Sequence, residues 1–400
     1  MAEYGGSISK WAQFRNIWFA LPKVERNSVR FQTPDIGASN ERRTSSIEDS
    51  RWSRLKAKDG FAVHAKKRGN PLKKYQLVGI GNAIVDVIAT VEDDFLARMG
   101  IHKGIMQLID RDRAEVLYAA MEAPAQTSGG SVANSLVGAA NLGLKTAFVG
   151  RVREDALGRF YSQDCLAAGM HFDNMPVSSD ELPTSRSLIF VTPDGERSMN
   201  TYLGISAELG PDDVDERIIA DSNIVFLEGY LFDKDKGKEA FLKAARTCHS
   251  AGGMTGITLS DPFCVDRHRS DFRALVASEM DFVLGNEKEW VSLYQTNSLE
   301  DSLAQASSDC QLIVCTRSGD PVCIIHKGQR IEIPVRTMSP VDATGAGDQF
   351  AAGFLYGVAT GRDMQTAGQM GCLAASDVIS HIGARPRTDL RVALSRAGLI

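Results

Sequence analysis

The stretch Ser339-Pro-Val-Asp-Ala-Thr-Gly-Ala-Gly-Asp-Gln-Phe-Ala-Ala-Gly-Phe-Leu-Tyr-Gly357 reads as a strand exit, a glycine-rich bend and then a helix. Phe350, Phe354, Leu355 and Val358 recur at helical spacing, so an apolar face starts directly after the bend. Gly345 and Gly347 carry no Cβ, which lets a bound group approach the backbone. The N–H groups of a first helical turn, those of Gly345, Ala346 and Gly347 among them, would face that group at the positive end of the helix dipole. This pattern is an anion site. Asp348 conflicts with it, because a carboxylate repels phosphate. Its place makes chemical sense if it takes the proton of a hydroxyl that attacks the phosphate. The plainer alternative is a first-turn acid favoured only by the dipole.

Working back from this bend, the chain alternates short apolar runs with helical patterns from about residue 212 to 308. Asn223-Ile-Val-Phe-Leu227 precedes a helix near 234–250, and Gly256-Ile-Thr-Leu259 precedes Ser260-Asp-Pro-Phe263. Asp281-Phe-Val-Leu284 precedes Gly285-Asn-Glu-Lys-Glu-Trp290, and Gln311-Leu-Ile-Val-Cys315 precedes Thr316-Arg-Ser-Gly-Asp320. This rhythm predicts an α/β fold with a doubly wound, mostly parallel sheet. Ligands of such sheets bind at the carboxyl ends of the strands, so the polar clusters that end each run should gather along one edge.

Ordered sequence begins at Tyr75-Gln-Leu-Val-Gly-Ile80, followed by Gly81-Asn-Ala-Ile-Val-Asp-Val-Ile-Ala89. Asp86 lies among Ile84, Val85, Val87 and Ile88, and a carboxylate in apolar company needs a partner. If this run is extended, Asn82 and Asp86 share a face and suit a ligand with adjacent hydroxyls. Ser128-Gly-Gly-Ser131 opens a second helix after a glycine bend, on which Asn134 lies away from the stripe Val132, Leu136, Ala140. Two alternating strands flank Pro193-Asp194-Gly195, a hairpin that with residues near 88–110 suggests a small separate sheet acting as a lid. Arg197, just past that turn, could reach a transferred phosphoryl group.

The 400 residues carry 43% hydrophobic and 24% charged side chains, enough for one large core with a small appendage. A formal charge of −5 argues against a general nucleic-acid binder. No apolar run nears the roughly 20 residues that span a bilayer. Seven cysteines (165, 248, 264, 310, 315, 323 and 372) form no C-x-x-C pair, so reduced thiols and a cytoplasmic setting are expected. Residues 1–74 hold 16 Lys and Arg against 7 Asp and Glu and show little periodicity. They are expected to be a disordered or loosely attached basic extension. No G-x-G-x-x-G follows the first strand, which sets aside a nicotinamide dehydrogenase.

Over residues 75–400 the sequence resembles the ribokinase-like (PfkB) family of sugar and nucleoside kinases. Gly345-Ala-Gly-Asp348 is similar to its C-terminal signature. Gly129-Gly130 with Asn134, then Val149-Gly150, Asp155 and Gly158, are similar to its N-terminal one. Ala343 departs from the threonine usual beside the aspartate. The resemblance implies ATP and magnesium, with Asp348 as base, the Gly345–Gly347 amides on the γ-phosphoryl, and Asn82, Asp86, Gly129, Gly130 and Asn134 on the acceptor. Asn286 and Glu289 resemble the element that organises phosphate and magnesium, largely through water. Thr316, Ser318 and Gly319 resemble the nucleotide loop, and the loop His381–Arg385 would cover the adenine. Asp342 and Thr344 stand where some relatives bind potassium. The runs Gly81-Asn82, Gly129-Gly-Ser131, Leu259-Ser-Asp-Pro-Phe263 and Gly285-Asn-Glu287 are most similar to the adenosine kinases. That implies the 5′-hydroxyl of adenosine as acceptor in a monomer or homodimer. A ribose- or fructose-type sugar kinase and a non-catalytic nucleoside- or sugar-binding member are the alternatives.

Overall fold

The computed structural model describes residues 73–178, 181–336 and 338–400. The basic extension therefore lies outside the described residues except at its end, where Lys73 Nζ donates to the Ser222 carbonyl at 2.7 Å and the Lys74 amide to Asp221 at 2.8 Å. Among the described residues the larger sheet has nine strands, seven of them parallel. These lie in the order β12 (Leu312–Arg317), β11 (Phe282–Asn286), β10 (Met254–Thr258), β9 (Ser222–Glu228), β1 (Tyr75–Ile80), β5 (Thr146–Val149) and β6 (Met170–Phe172). β13 (Asp320–His326) and β14 (Gln329–Ile333) extend the sheet antiparallel beyond β12. The central strands are apolar without alternation because helices cover both faces. On one face lie Phe241, Ala244 and Phe272, and on the other Leu136, Phe354 and Met370, all fully buried. The doubly wound, mostly parallel sheet expected from the rhythm is present, and the antiparallel edge was not anticipated.

A second sheet of five strands runs β3 (Met106–Leu108), β8 (Arg197–Tyr202), β7 (Ser185–Val191), β2 (Ile84–Thr90) and β4 (Ala125–Gly129). β7 and β8 are the hairpin read from the sequence, turning through Gly195 in the left-handed region. β2 and β4 join them, so this sheet draws on more of the chain than the two segments near 88–110 and 183–204. β4 leads straight into the helix Ser131–Asn141, which crosses the helix Ala346–Ala359. Gly138 permits that crossing: a Cβ there would stand 2.7 Å from Ala352 Cβ and 2.0 Å from Gln349 Oε1. The seven thiols are free, and all but the half-buried Cys372 are buried. No helix among the described residues is long and apolar enough to cross a membrane.

Candidate active site

A cleft of about 630 Å³ opens along the carboxyl ends of the parallel strands. Glu228, Thr258, Asn286 and Thr316, the final or penultimate residues of β9 to β12, all line it, and the small sheet faces them. Asp348 stands in its wall in the first turn of the helix Ala346–Ala359. Ser131 Oγ donates to Asp348 Oδ1 at 2.7 Å and Asn134 Nδ2 to Oδ2 at 3.2 Å. Burial nonetheless pushes this carboxyl up to about 6, against the pull of both donors. Such a group is ionised at neutral pH and basic enough to accept a proton.

The amides around it suit an anion. Gly345 begins the helix in the left-handed region, and its neighbours across the bend are the backbone and side chain of Ala384. The N–H groups of Gly345, Gly347 and Asp348 find no carbonyl partner among the described residues, while the Ala346 amide bonds the Ala343 carbonyl at 3.2 Å. Nothing lies within 4 Å of where a Gly347 Cβ would be. That leaves open space beside the helix start, as an incoming phosphoryl group requires.

Across the cleft, register places Leu108, Thr201, Ser187 and Asp86 in one row over four strands of the small sheet. Met106 and Met199 pair two residues along, and all six side chains line the cleft. The sheet face thus grades from a carboxylate to an apolar wall. Asp86 is pushed up to about 6 by burial, opposed by the charges of Arg385 and Arg197 and reinforced by Asp348. Gly130 lines the cleft, whereas Gly129 sits behind the Asp86 carboxylate.

Several expectations change on contact with the structure. Asn82 lines the cleft with Asp86, but from the loop before β2 and not from the strand face of Asp86. Its amide is taken up internally, donating to Glu228 Oε1 at 2.8 Å and accepting from Ser206 Oγ at 2.9 Å. Arg197 shares the sheet face of Met199 and Thr201 but does not itself line the cleft: its Nη1 donates to Asp342 Oδ2 and, at 3.2 Å, to Thr344 Oγ1. The Asp342 carboxylate also accepts from the amides of Thr344 and Gly383 at 2.9 and 2.8 Å. A guanidinium therefore neutralises the carboxylate matched to potassium. Ser318 and Gly319 form the tight turn between β12 and β13, and of that loop only Thr316 lines the cleft. Arg385, expected over the adenine, reaches instead toward Asn134.

Asn286 and Glu289 form a reciprocal capping box at the start of the helix Glu287–Tyr294. Glu289 N–H donates to Asn286 Oδ1 at 3.0 Å, while Asn286 N and Nδ2 donate to the two carboxylate oxygens at 2.8 and 2.5 Å. Burial pushes Glu289 up to about 7. No group of three or more His, Cys, Asp or Glu side chains able to hold a metal occurs among the described residues.

Sequence reasoning missed Glu228 and the tie made by Gln349, and it gave Ser131 and Arg385 no role beside Asp348. Glu228 is fully buried, accepts from the amides of Asn82 and Val132 at 3.2 and 3.0 Å, and is pushed up to about 7 by burial. Its signal was available: a charged residue ending the apolar run Ile224–Leu227, the same cue that singled out Asp86.

An acid beside free backbone amides, at the carboxyl edge of a doubly wound sheet and under a small second sheet, is an arrangement chemically able to serve phosphoryl transfer to an alcohol. Residues 79–390 match the family described as pfkB family carbohydrate kinase, and the chain belongs to it. It is 45% identical to a probable sugar kinase from Rhizobium etli CFN 42, whose solved structure it matches over 82% of this chain and 100% of that one with a TM-score of 0.76. It is 44% identical to the adenosine kinase from Sinorhizobium meliloti over 81% of this chain and 99% of that structure, with a TM-score of 0.75. A 5-dehydro-2-deoxygluconokinase from Bacillus licheniformis is 27% identical over 63% of this chain and 80% of its own length. The protein is an ATP-dependent sugar or nucleoside kinase, a phosphotransferase with an alcohol acceptor.

Proposed function

We propose that the chain transfers the γ-phosphoryl of ATP to the 5′-hydroxyl of a nucleoside, with adenosine as acceptor. The observation that carries this reading is the graded face of the small sheet. Asp86 offers an acceptor for vicinal hydroxyls, and the same row ends in Leu108, beside Met106 and Met199. Met106 and Leu108 are about half exposed at 49% and 56%, apolar surface that a free sugar leaves wet and a purine covers. The resemblance to adenosine kinases points the same way.

In this reading Asp86 and the Gly130 bend hold the ribose, and Asp348 takes the proton of the attacking hydroxyl. That role is typically worth about 10²–10⁴-fold. The amides of Gly345, Gly347 and Asp348 receive the charge that develops on the transferred group. Both Glu289 oxygens already accept from Asn286, so the donor set suits magnesium held through water. Bound with the nucleotide near Asn286 and Glu289, such an ion would supply neutralisation of phosphate charge. The small sheet acts as a lid that keeps water from competing with the hydroxyl.

The test is a panel of adenosine, guanosine, ribose, fructose and 5-dehydro-2-deoxygluconate with ATP and magnesium, reading phosphorylated product. Adenosine is expected to turn over fastest. In a Met106→Ser, Leu108→Ser variant its KM should rise roughly 10- to 100-fold, the worth of one or two buried apolar side chains. Turnover of a free sugar with none of adenosine would replace the nucleoside by that sugar.

A further inference from the structure

Arg385 has no part in the reading above, yet its guanidinium contacts Asn134, a residue of the cleft wall that also holds Asp348. It arrives from the loop that follows the helix Met364–Val378. Its Nη1 donates to Asp164 Oδ2 at 2.8 Å and its Nη2 to Ser128 Oγ. Asp164 Oδ2 is held in turn by the Ser128 amide at 2.9 Å and the Ser128 hydroxyl at 2.5 Å. The third donor, Nε, reaches Asn134 Oδ1 at 3.4 Å.

That last contact has a chemical consequence. A guanidinium can only donate, so the Asn134 carbonyl end must face it. The amino end is then the one that points at Asp348 Oδ2. Turned over, the same amide would set its oxygen against a carboxylate. The loop carrying Arg385 is itself fixed to the anion-binding bend: Gln349 Nε2 donates to the Ala384 carbonyl at 2.9 Å, and the Gly383 amide donates to Asp342. We infer that Arg385 is a positioning residue for phosphoryl transfer, clamped on Asp164 and Ser128, which orients the Asn134 amide so that its amino end holds the Asp348 carboxylate.

The inference rests on the phosphoryl-transfer reading and is tested by a double-mutant cycle on the full chain with ATP and the best acceptor of the panel. Arg385→Ala is expected to lower kcat 10- to 100-fold with the KM for ATP within twofold, and guanidinium at millimolar concentration should restore part of the loss. Asn134→Ala should lower kcat by a similar factor, and the double variant should be little worse than either single one. Arg385→Lys keeps the charge beside Asp164 but lacks the rigid fork, so it should fold as the wild type does and still lose about tenfold in kcat. An active wild type whose Arg385→Lys variant keeps full kcat overturns the inference alone, and so do losses at 385 and 134 that multiply in the double variant. A wild type that phosphorylates no acceptor removes the phosphoryl-transfer reading and this inference with it.

Discussion

Burial raises the Asp348 carboxyl from an ordinary 3.8 to about 6, although Ser131 and Asn134 both favour its ionised form. A group whose folded pKa exceeds its unfolded one stabilises the fold below that window and loses this stability as the pH rises through about 6. Asp348→Asn removes the ionisation, and its amide still has partners in Ser131 and Asn134. We predict a variant without measurable turnover that is more stable than the wild type at pH 8, by about 1–2 kcal/mol or a few degrees in Tm. The gap should close as the pH falls from 6 toward 4, which calorimetry at several pH values would follow. For the wild type, kcat/KM should fall below about pH 6, where Asp348 and Asp86, both pushed up to about 6 by burial, take up protons. The place of Asp348 beside the helix-start amides was legible in the sequence because one short motif contains them both. Arg385 was not, since its partners Ser128, Asn134 and Asp164 lie more than 200 residues away and nothing local announces the contact.

The helices Ser131–Asn141 and Ala346–Ala359 bring the two glycine bends face to face, and their separation fixes the Asn134–Asp348 contact. Gln349 bolts the crossing, donating to the Asn134 carbonyl at 3.0 Å as well as to Ala384. Gly138→Ala would drive a methyl into Ala352 and the Gln349 side chain, where overpacking typically costs about 1–3 kcal/mol. The expected outcome is a lower Tm together with a kcat reduced at least tenfold; unchanged kcat would show that the crossing distance does not set the base. The bends and their helices could be read from spacing alone, because helical periodicity is local. The antiparallel pair β13–β14 could not, since its place depends on the long-range edge that β12 leaves open. The shared strand face of Asn82 and Asp86 failed for a related reason: strand alternation applies only from Ile84 onward, and the loop before it obeys the hydrogen-bonding demand of the buried Glu228.

Across the molecule, a buried ion pair ties the small sheet to the anion-binding bend. Arg197 belongs to the small sheet and Asp342 to the loop that leads into the anion-binding bend, and their side chains are only 9% and 6% exposed. Removing the arginine leaves a buried carboxylate without its cation, a loss typically worth about 3–5 kcal/mol. For Arg197→Ala we predict lowered stability and, in the active protein, more ADP released per phosphorylated acceptor, because a sheet no longer latched admits water. Product and ADP counted in the same reaction would check this, and an unaltered ratio would mean the latch does not govern closure. The proposed base and the amides proposed to take the phosphoryl charge lie in one turn at the start of one helix, so neither can drift without the other. The surface that meets the rest of the acceptor belongs to different strands altogether. Descendants of this scaffold are therefore free to exchange one alcohol for another by rewriting the opposite wall, while the reaction itself is inherited unaltered.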